Sequence, residues 1–335
     1  MTKKKTEVPI IARVARGLIK AELTTDKLLR TTNKAGNEIY IIDGNTAPNT
    51  LLEIGRLREE AFRDAGGGTG EDKDLDKFDF GYDEKGHKVG LFKQLIVWNP
   101  QDKEIVGGYR YIQMKDLATD EKGHIVSPTA ELFRLSRKFE KEYAPNVIEL
   151  GRSFVSVFYQ ATSKENAQKG LFSMDNLWDG LGALVVDYPE IQYFFGKFTM
   201  YPKRYNSKAR DLILSFLKTF FPDPDKLIRP KRKWTLHGLR KRIARLRRRY
   251  FIHTDVAQNK KILVDLVKSL GEFIPPLVNS YMNLSETMRF FGTVLHIHFG
   301  DVEESGILIA IGDIRKEKKD RHIQSYIGYR NDLKK

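Results

Sequence analysis

The sequence predicts a mixed α/β (α+β) domain in which helices flank a mostly antiparallel sheet. Three observations carry that expectation. Two apolar runs, "LFKQLIVWN" (91–99) and "EIVGGYRYIQM" (104–114), are joined by a short polar turn with Pro100, Gln101 and Asp102, which is a hairpin signal. Helical patterns are then inserted between later apolar runs, and a second strand pair closes the chain, an order that suits one layered domain. At 335 residues the chain is long enough for one large domain or two modest ones with a proper core.

The elements follow in order. Residues 8–24 place Ile10, Ile11, Val14, Leu18 and Ile19 at helical spacing among Arg13, Arg16 and Lys20, predicting a short basic amphipathic helix. "EIYIID" (38–43) reads as a strand and "TLLEIGRLREEAF" (50–62) as a helix. The stretch after it holds Gly66, Gly67, Gly68 and Gly70, then acids. A phosphate-binding loop needs a strand before it and Lys-Ser/Thr after its last glycine, whereas a helix precedes here and Glu71 and Asp72 follow, so a mobile loop or lid is the expectation. "TAELFRLSRKFEKEY" (129–143) reads as one helix, "NVIELGRSFVSV" (146–157) as a strand, and "NLWDGLGALVVDYP" (176–189) as a helix ended by proline. "IQYFFGKFTM" (191–200) reads as a strand, and "SKARDLILSFLKTFF" (207–221) as a helix capped by Ser207 and stopped before Pro222. Beyond a basic stretch come a helix around "ILVDLVKSLGEF", the "IPPLVNSYMNL" segment, and the strands "FFGTVLHIHFG" and "GILIAIGDI" joined by "DVEES". The domain reading is an arm at 1–36, a core at 37–227, a basic insert at 228–254 and a C-terminal lobe at 255–335 that completes the sheet.

The chain carries 58 Lys plus Arg against 44 Asp plus Glu, a net charge of +14 that favours anionic partners. There is no cysteine, so thiol nucleophiles and thiolate metal sites are excluded. No apolar run is long enough to span a bilayer, and Arg13 and Arg16 interrupt the opening stretch, which reads against a secretory signal. A cytoplasmic protein, peripheral at the membrane surface, is expected.

The most informative stretch is "VIELGRSFVSVFY" (147–159), which sets Glu149 and Arg152 in an apolar strand. On a regular strand, residues three apart face opposite sides. Either the two form a structural ion pair, or the strand ends lie two residues from where they are read, or a β-bulge near Leu150–Gly151 shifts the alternation and turns both into one cleft. The segment 229–249 holds eleven Lys and Arg and no acid. Leu239, Ile243 and Leu246 recur at helical spacing among Arg240, Lys241, Arg245 and Arg248, with Trp234 and Phe251 flanking. An interfacial membrane helix, a docking patch for an acidic protein, a nucleic-acid stripe and a solvated helix all fit, although no recognised nucleic-acid module accompanies it and no nucleic-acid partner is expected. His296 and His298, two apart on a predicted strand, share a face, but no third metal ligand is near in sequence and no metal is assigned.

Four stretches carry a resemblance: "RLREEAF" (56–62), "DLDKFDF" (74–80), "IVGGYRYI" (105–112) and "IELGRSFVSVFYQ" followed by "LWDGLGALVV". In order and spacing they resemble the GNAT-fold N-acyltransferases labelled hemolysin-like, including the enzymes that begin ornithine-lipid and glycine-lipid synthesis, with acyl-homoserine lactone synthases as distant relatives. The likeness runs from about Glu38 to Asp313. It implies a GNAT-like fold and transfer of a (3-hydroxy) fatty acyl group from acyl carrier protein to the amine of a small amino acid, glycine or ornithine. The cosubstrate is then a phosphopantetheine thioester and no resident cofactor is implied; the glycine loop common for coenzyme A is not recognisable. The family's charged cluster falls on Arg58, Asp76, Asp79, Arg110, Glu149 and Arg152, with Phe62 beside them. Glu149 and Arg152 are the expected catalytic pair, with Tyr159 a candidate to protonate the leaving thiolate. Arg58, Phe62, Asp76, Asp79, Arg110 and Ser153 are expected to bind substrate. Two positions depart from the pattern: Phe154 stands where many lipid-forming relatives have cysteine, and Tyr159-Gln160 where Tyr-Arg is common. Acyl-homoserine lactone synthesis, or a non-catalytic binder on the same fold, are the rival readings.

Overall fold

The computed structural model describes residues 7–160 and 172–333. Its frame is an eight-stranded sheet built from β1 (Leu28–Thr31), β2 (Glu38–Ile42), β3 (Lys93–Asn99), β4 (Glu104–Gln113), β6 (Val147–Val155), β7 (Tyr193–Met200), β9 (Arg289–His296) and β10 (Val302–Ala310), in the order β1-β2-β3-β4-β6-β7-β10-β9. Two short strands, β5 (Phe133–Leu135) and β8 (Ile228–Pro230), pair separately. Within the large sheet every pairing is antiparallel except β6 with β7. That parallel step needs a crossover, and its helical part is Ser173–Asp187. A mixed, mostly antiparallel sheet flanked by helices is therefore what the chain forms.

Taken in chain order, the helices that matter here are α1 (Arg16–Glu22), α2 (Pro48–Ala65), α3 (Lys77–Phe80), α4 (Pro128–Leu132), α5 (Ser173–Asp187), α6 (Ser207–Phe220), α7 (Leu239–Tyr250), α8 (Val256–Ser269) and α9 (Pro276–Met282). One face of the sheet packs Tyr109, Ile148, Phe194 and Phe198 against Leu177, Leu181, Ile213 and Leu263 of α5, α6 and α8. The other face packs Ile96, Ile105 and Phe154 against Ile54, Leu57 and Phe62 of α2.

Several local expectations are corrected. The N-terminal helix is confined to Arg16–Glu22, and residues 8–15 form no regular element, their backbone pairing elsewhere: Val8 N donates to Gly70 O and Ile11 N to Asp72 O. The glycine-rich stretch is pinned rather than a lid. Gly66 ends α2 in the left-handed conformation that glycine takes without penalty. Buried Glu59 then accepts from the backbone N–H of Thr69 (3.0 Å) and Gly70 (2.8 Å), occupying the donors a phosphate would need. The helix expected over 129–143 is interrupted after Leu132, since Phe133 and Leu135 are buried on a strand that pairs with β8 around exposed Arg134, and helical backbone resumes over 137–143. Asn206, not Ser207, caps α6, accepting from Lys208 N at 2.9 Å. "DVEES" is no linker: all but Asp301 lies in β10, where buried Glu303 and Glu304 find cations in Arg210 and Lys197. His296 ends β9 while His298 lies in a turn, so the two share no strand face; His296 bonds Glu304 and His298 packs edge-on against Trp234.

Candidate active site

The site grows from two irregularities of the sheet. The first is in β6. Against β4, Gly108 pairs with Phe154 but Arg110 with Gly151, so Arg152 and Ser153 together stand opposite Tyr109. That is a β-bulge, one or two positions beyond the expected place. Its effect shows in the packing: Leu150 and Val155, five apart, join the same apolar cluster, which unbroken alternation forbids. Arg152 sits at the bulge with φ of 50°, a left-handed conformation costing a non-glycine residue about 1 to 3 kcal/mol. Gly107 makes room on the facing strand, since a Cβ there would meet Phe154 O at 2.5 Å. The second irregularity is between β6 and β7. They pair in register only at Val147, Ile148 and Glu149, then diverge although both strands continue.

A cavity of about 540 Å³ occupies the divergence. Glu149, Leu150, Gly151, Arg152 and Ser153 form one wall, Lys197, Thr199, Met200 and Glu304 the other. Phe62 and Phe299, in edge-on contact, and Phe273 to Leu277 complete the lining. The volume suits a substrate of drug-like size.

Glu149 is 2% exposed. Its Oε1 accepts from Thr129 Oγ1 at 2.6 Å and Thr129 N at 3.2 Å, at the start of α4, where Ser127 is the cap. Its Oε2 has no hydrogen-bond partner among the described residues. A buried carboxylate oxygen left bare in a cavity wall is costly unless something else comes to it. Arg152 turns to the same cleft: its Nε lies 2.8 Å from Asp74 Oδ2, its Nη2 3.7 Å from Asp76, and its guanidinium 4.5 Å from the Phe299 ring centre.

Behind that wall lies a closed charge network. Asp76 caps α3, accepting from Phe78 N, while Asp79 accepts from Asp76 N in return. Arg110 grips Asp76 with two bonds of 2.7 and 2.9 Å and reaches Asp79 at 3.0 Å. Arg58, wholly buried, takes the other Asp79 oxygen at 3.0 Å. Burial opposes ionisation of Asp76, but Arg110 and then Arg152 hold its pKa well below the usual carboxylate range. Burial also pushes Asp74 up, with Arg152 and Arg58 pulling the other way. On the far wall, Glu304 joins Lys197 (3.0 Å) and His296 (3.2 Å). Burial would raise its pKa too, and Lys197, then His296, hold it low instead.

The expected residues thus divide. Glu149, Arg152, Phe62, Arg110 and Ser153 line the cavity, whereas Arg58, Asp76 and Asp79 do not and bind one another behind it. Tyr159 is a correction: its hydroxyl donates to Asp102 in the β3–β4 turn at 2.7 Å, and it is absent from the cavity lining. Tyr201 is a phenol that does line the cavity, its pKa pushed up to about 12 by burial and Glu304. Sequence reading missed Thr129, Lys197, Tyr201 and Glu304; a lysine in the apolar strand "FFGKFTM" was the available signal.

The basic helix α7 is also corrected in one respect. Leu239, Ile243, Leu246 and Tyr250 pack onto the core beside α6, and Phe251 is buried, so no apolar stripe remains for a membrane interface. Trp234 is half-buried against a second cluster. Arg240, Lys241, Arg245 and Arg248 point outward. Among the described residues no helix is long and apolar enough to cross a membrane.

Comparison with known proteins agrees with this architecture. Residues 57–167 match the Acetyltransferase (GNAT) domain. The chain is 50% identical over 318 residues to a glycine N(alpha)-acyltransferase of Phocaeicola vulgatus, covering 95% of this chain and 93% of that protein. It is 51% identical over 318 residues to a glycine N(alpha)-acyltransferase of Bacteroides thetaiotaomicron, covering 95% and 90%. No solved structure matches. With half its residues shared along nearly its whole length, this chain belongs to the same family of N-acyltransferases as those two enzymes.

Proposed function

We propose that the protein transfers a fatty acyl group, a 3-hydroxyacyl chain, from the phosphopantetheine thioester of acyl carrier protein to the amine of glycine, as the first step of aminolipid synthesis. The observation that carries this reading is the bare Oε2 of Glu149 in the wall of a cavity at a bulged, diverging strand pair. An amino-acid amine arrives mostly as ammonium. Glu149 accepts one proton, the freed nitrogen attacks the thioester carbon, the C–S bond breaks, and the second nitrogen proton ends on the departing thiol. Arg152 and Ser153 stand outside the ladder at the bulge, so their backbone N–H groups are suited to the oxyanion. The chain has no cysteine to form a thioester intermediate of its own, which favours direct transfer in a ternary complex. Glycine is preferred over ornithine because both relatives are named for glycine.

The donor reading draws on the surface. With the apolar side of α7 buried, its outward arginines offer charge without an anchor, which suits an acidic carrier protein better than an interfacial membrane helix. The test is to supply 3-hydroxypalmitoyl-acyl carrier protein and glycine and look for the N-acylglycine by mass spectrometry. Product from the wild type and none from Glu149→Gln is expected. Undiminished product from the variant sinks the role of Glu149, and product from the coenzyme A thioester but not the carrier thioester sinks the donor. Salt-sensitive binding to anionic vesicles, with none to carrier protein, sinks the docking assignment.

A further inference from the structure

We infer that Lys197 is the subsite for the acceptor's carboxylate, so that the walls of the divergence read both ends of a zwitterionic α-amino acid. The inference rests on the amino-acid acyltransferase reading above and adds a residue to it.

The ladder supplies the geometry. Glu149 is the last residue of β6 in register with β7, opposite Phe195. Lys197 lies two residues further along β7 and therefore on the same face as Phe195. With neighbouring strands about 4.8 Å apart and a rise of about 3.3 Å per residue, the Cα atoms of Glu149 and Lys197 are roughly 8 Å apart before divergence is added. Both side chains line the same cavity. Their charged ends therefore bracket a space that a small molecule with an ammonium and a carboxylate spans, the ammonium towards the bare Oε2 of Glu149.

Lys197 is equipped for the task. Its Nζ lies 3.0 Å from Glu304 Oε2, and its side chain is 12% exposed. An ammonium has three donors, and an ion pair with one carboxylate leaves donors for another. Glu304, 3% exposed and steadied on its other oxygen by His296 at 3.2 Å, fixes where the lysine points. Arg152 is less free. Its charge is shared between Asp74 and Asp76, and its guanidinium covers Phe299. Arg204 lines the cavity too, but on an exposed rim.

Two acceptors isolate the carboxylate: glycine, and glycinamide, which keeps the amine and lacks the negative charge. With 3-hydroxypalmitoyl-acyl carrier protein as donor, Lys197→Met is expected to lower kcat/KM for glycine about 10- to 100-fold, chiefly through KM, and to change glycinamide by less than about twofold. Because the single variant strands Glu304 in the interior, the double variant Lys197→Met/Glu304→Gln is measured beside it, with Tm for each; the double variant is expected to fold and to show the same selective loss. Equal losses on both acceptors in the folded double variant, or no loss on glycine, overturn the subsite while leaving the acyltransfer reading intact. A wild-type chain that acylates neither acceptor overturns both, and that failure is visible before any variant is compared.

Discussion

Two sets of carboxylates, one in the wall of the cleft and one behind it, are partnered in different ways. Asp74, Asp76 and Asp79 interlock with Arg152, Arg110 and Arg58, three acids against three cations, with a two-pronged Arg110–Asp76 contact at the centre. Glu149, buried to a similar degree as Asp79, has no ion-pair partner among the described residues; one oxygen accepts from Thr129 and the other has no hydrogen-bond partner among them. The difference teaches how to tell scaffold from chemistry. A carboxylate paired with arginine is held in place by that charge and has less left to offer a substrate. One left half-satisfied at a cavity wall is destabilising by itself, and persists where a ligand completes it.

The contrast can be broken experimentally, beginning with the largest effect. Glu149→Gln keeps a group for Thr129 to bond and removes the proposed base. A fall in kcat of about 10²- to 10⁴-fold is expected, with thermal stability unchanged or raised. A large drop in Tm would place Glu149 with the structural set instead. Arg110→Met should do the reverse. It leaves buried Asp79 and half-buried Asp76 short of a cation and is expected to destabilise by about 3 to 5 kcal/mol in urea unfolding. Unchanged stability with lost activity would move Arg110 into the chemical set.

A third, smaller effect separates buried from exposed cations. Reversing Arg240 and Arg245 to Glu is expected to lower kcat/KM for carrier-bound donor about tenfold and to flatten its salt dependence, with Tm unaffected. An unaltered salt profile removes α7 from the encounter. The gentlest test is acid. Asp76 is held below its ordinary pKa, so its contribution to stability is complete above the unfolded value near 4 and is lost as pH falls through the lower folded one. Acid unfolding of Asp76→Asn should accordingly lose stability less steeply below about pH 4 than the wild type. Parallel curves would show that the Arg110–Asp76 contact adds nothing to the fold.

Much of the frame was legible because it is written in short-range pattern. The hairpin of β3 and β4, helix α2 with Pro48 at its start and Gly66 at its end, and the run through β6, α5 and β7 all lie within a few residues of their expected bounds. The glycine in the charged strand also pointed to a bulge. Elsewhere remote partners overrode local signal. "DVEES" looks like a turn because it is acidic, and becomes a strand because Arg210 and Lys197 reach it from α6 and β7. Phe133 to Leu135 looks helical, and becomes a strand because β8 arrives from almost a hundred residues away. Tyr159 sits in a motif beside Glu149 and Arg152, yet its hydroxyl is claimed by Asp102.

By itself, the sequence determined which residue types meet: a strand carrying Glu149 and Arg152, an acidic-aromatic motif to neutralise arginines, an arginine-rich segment free of acid, and no thiol. Periodicity and turn chemistry act over a few residues and are fully present in the chain. Only the tertiary structure decided which carboxylate stayed unpaired, which face of α7 was buried, and that Lys197 and Glu304 would stand across the gap from Glu149. Those outcomes depend on which distant side chains compete for each charge, and on two strands parting after Glu149, neither of which any local pattern encodes.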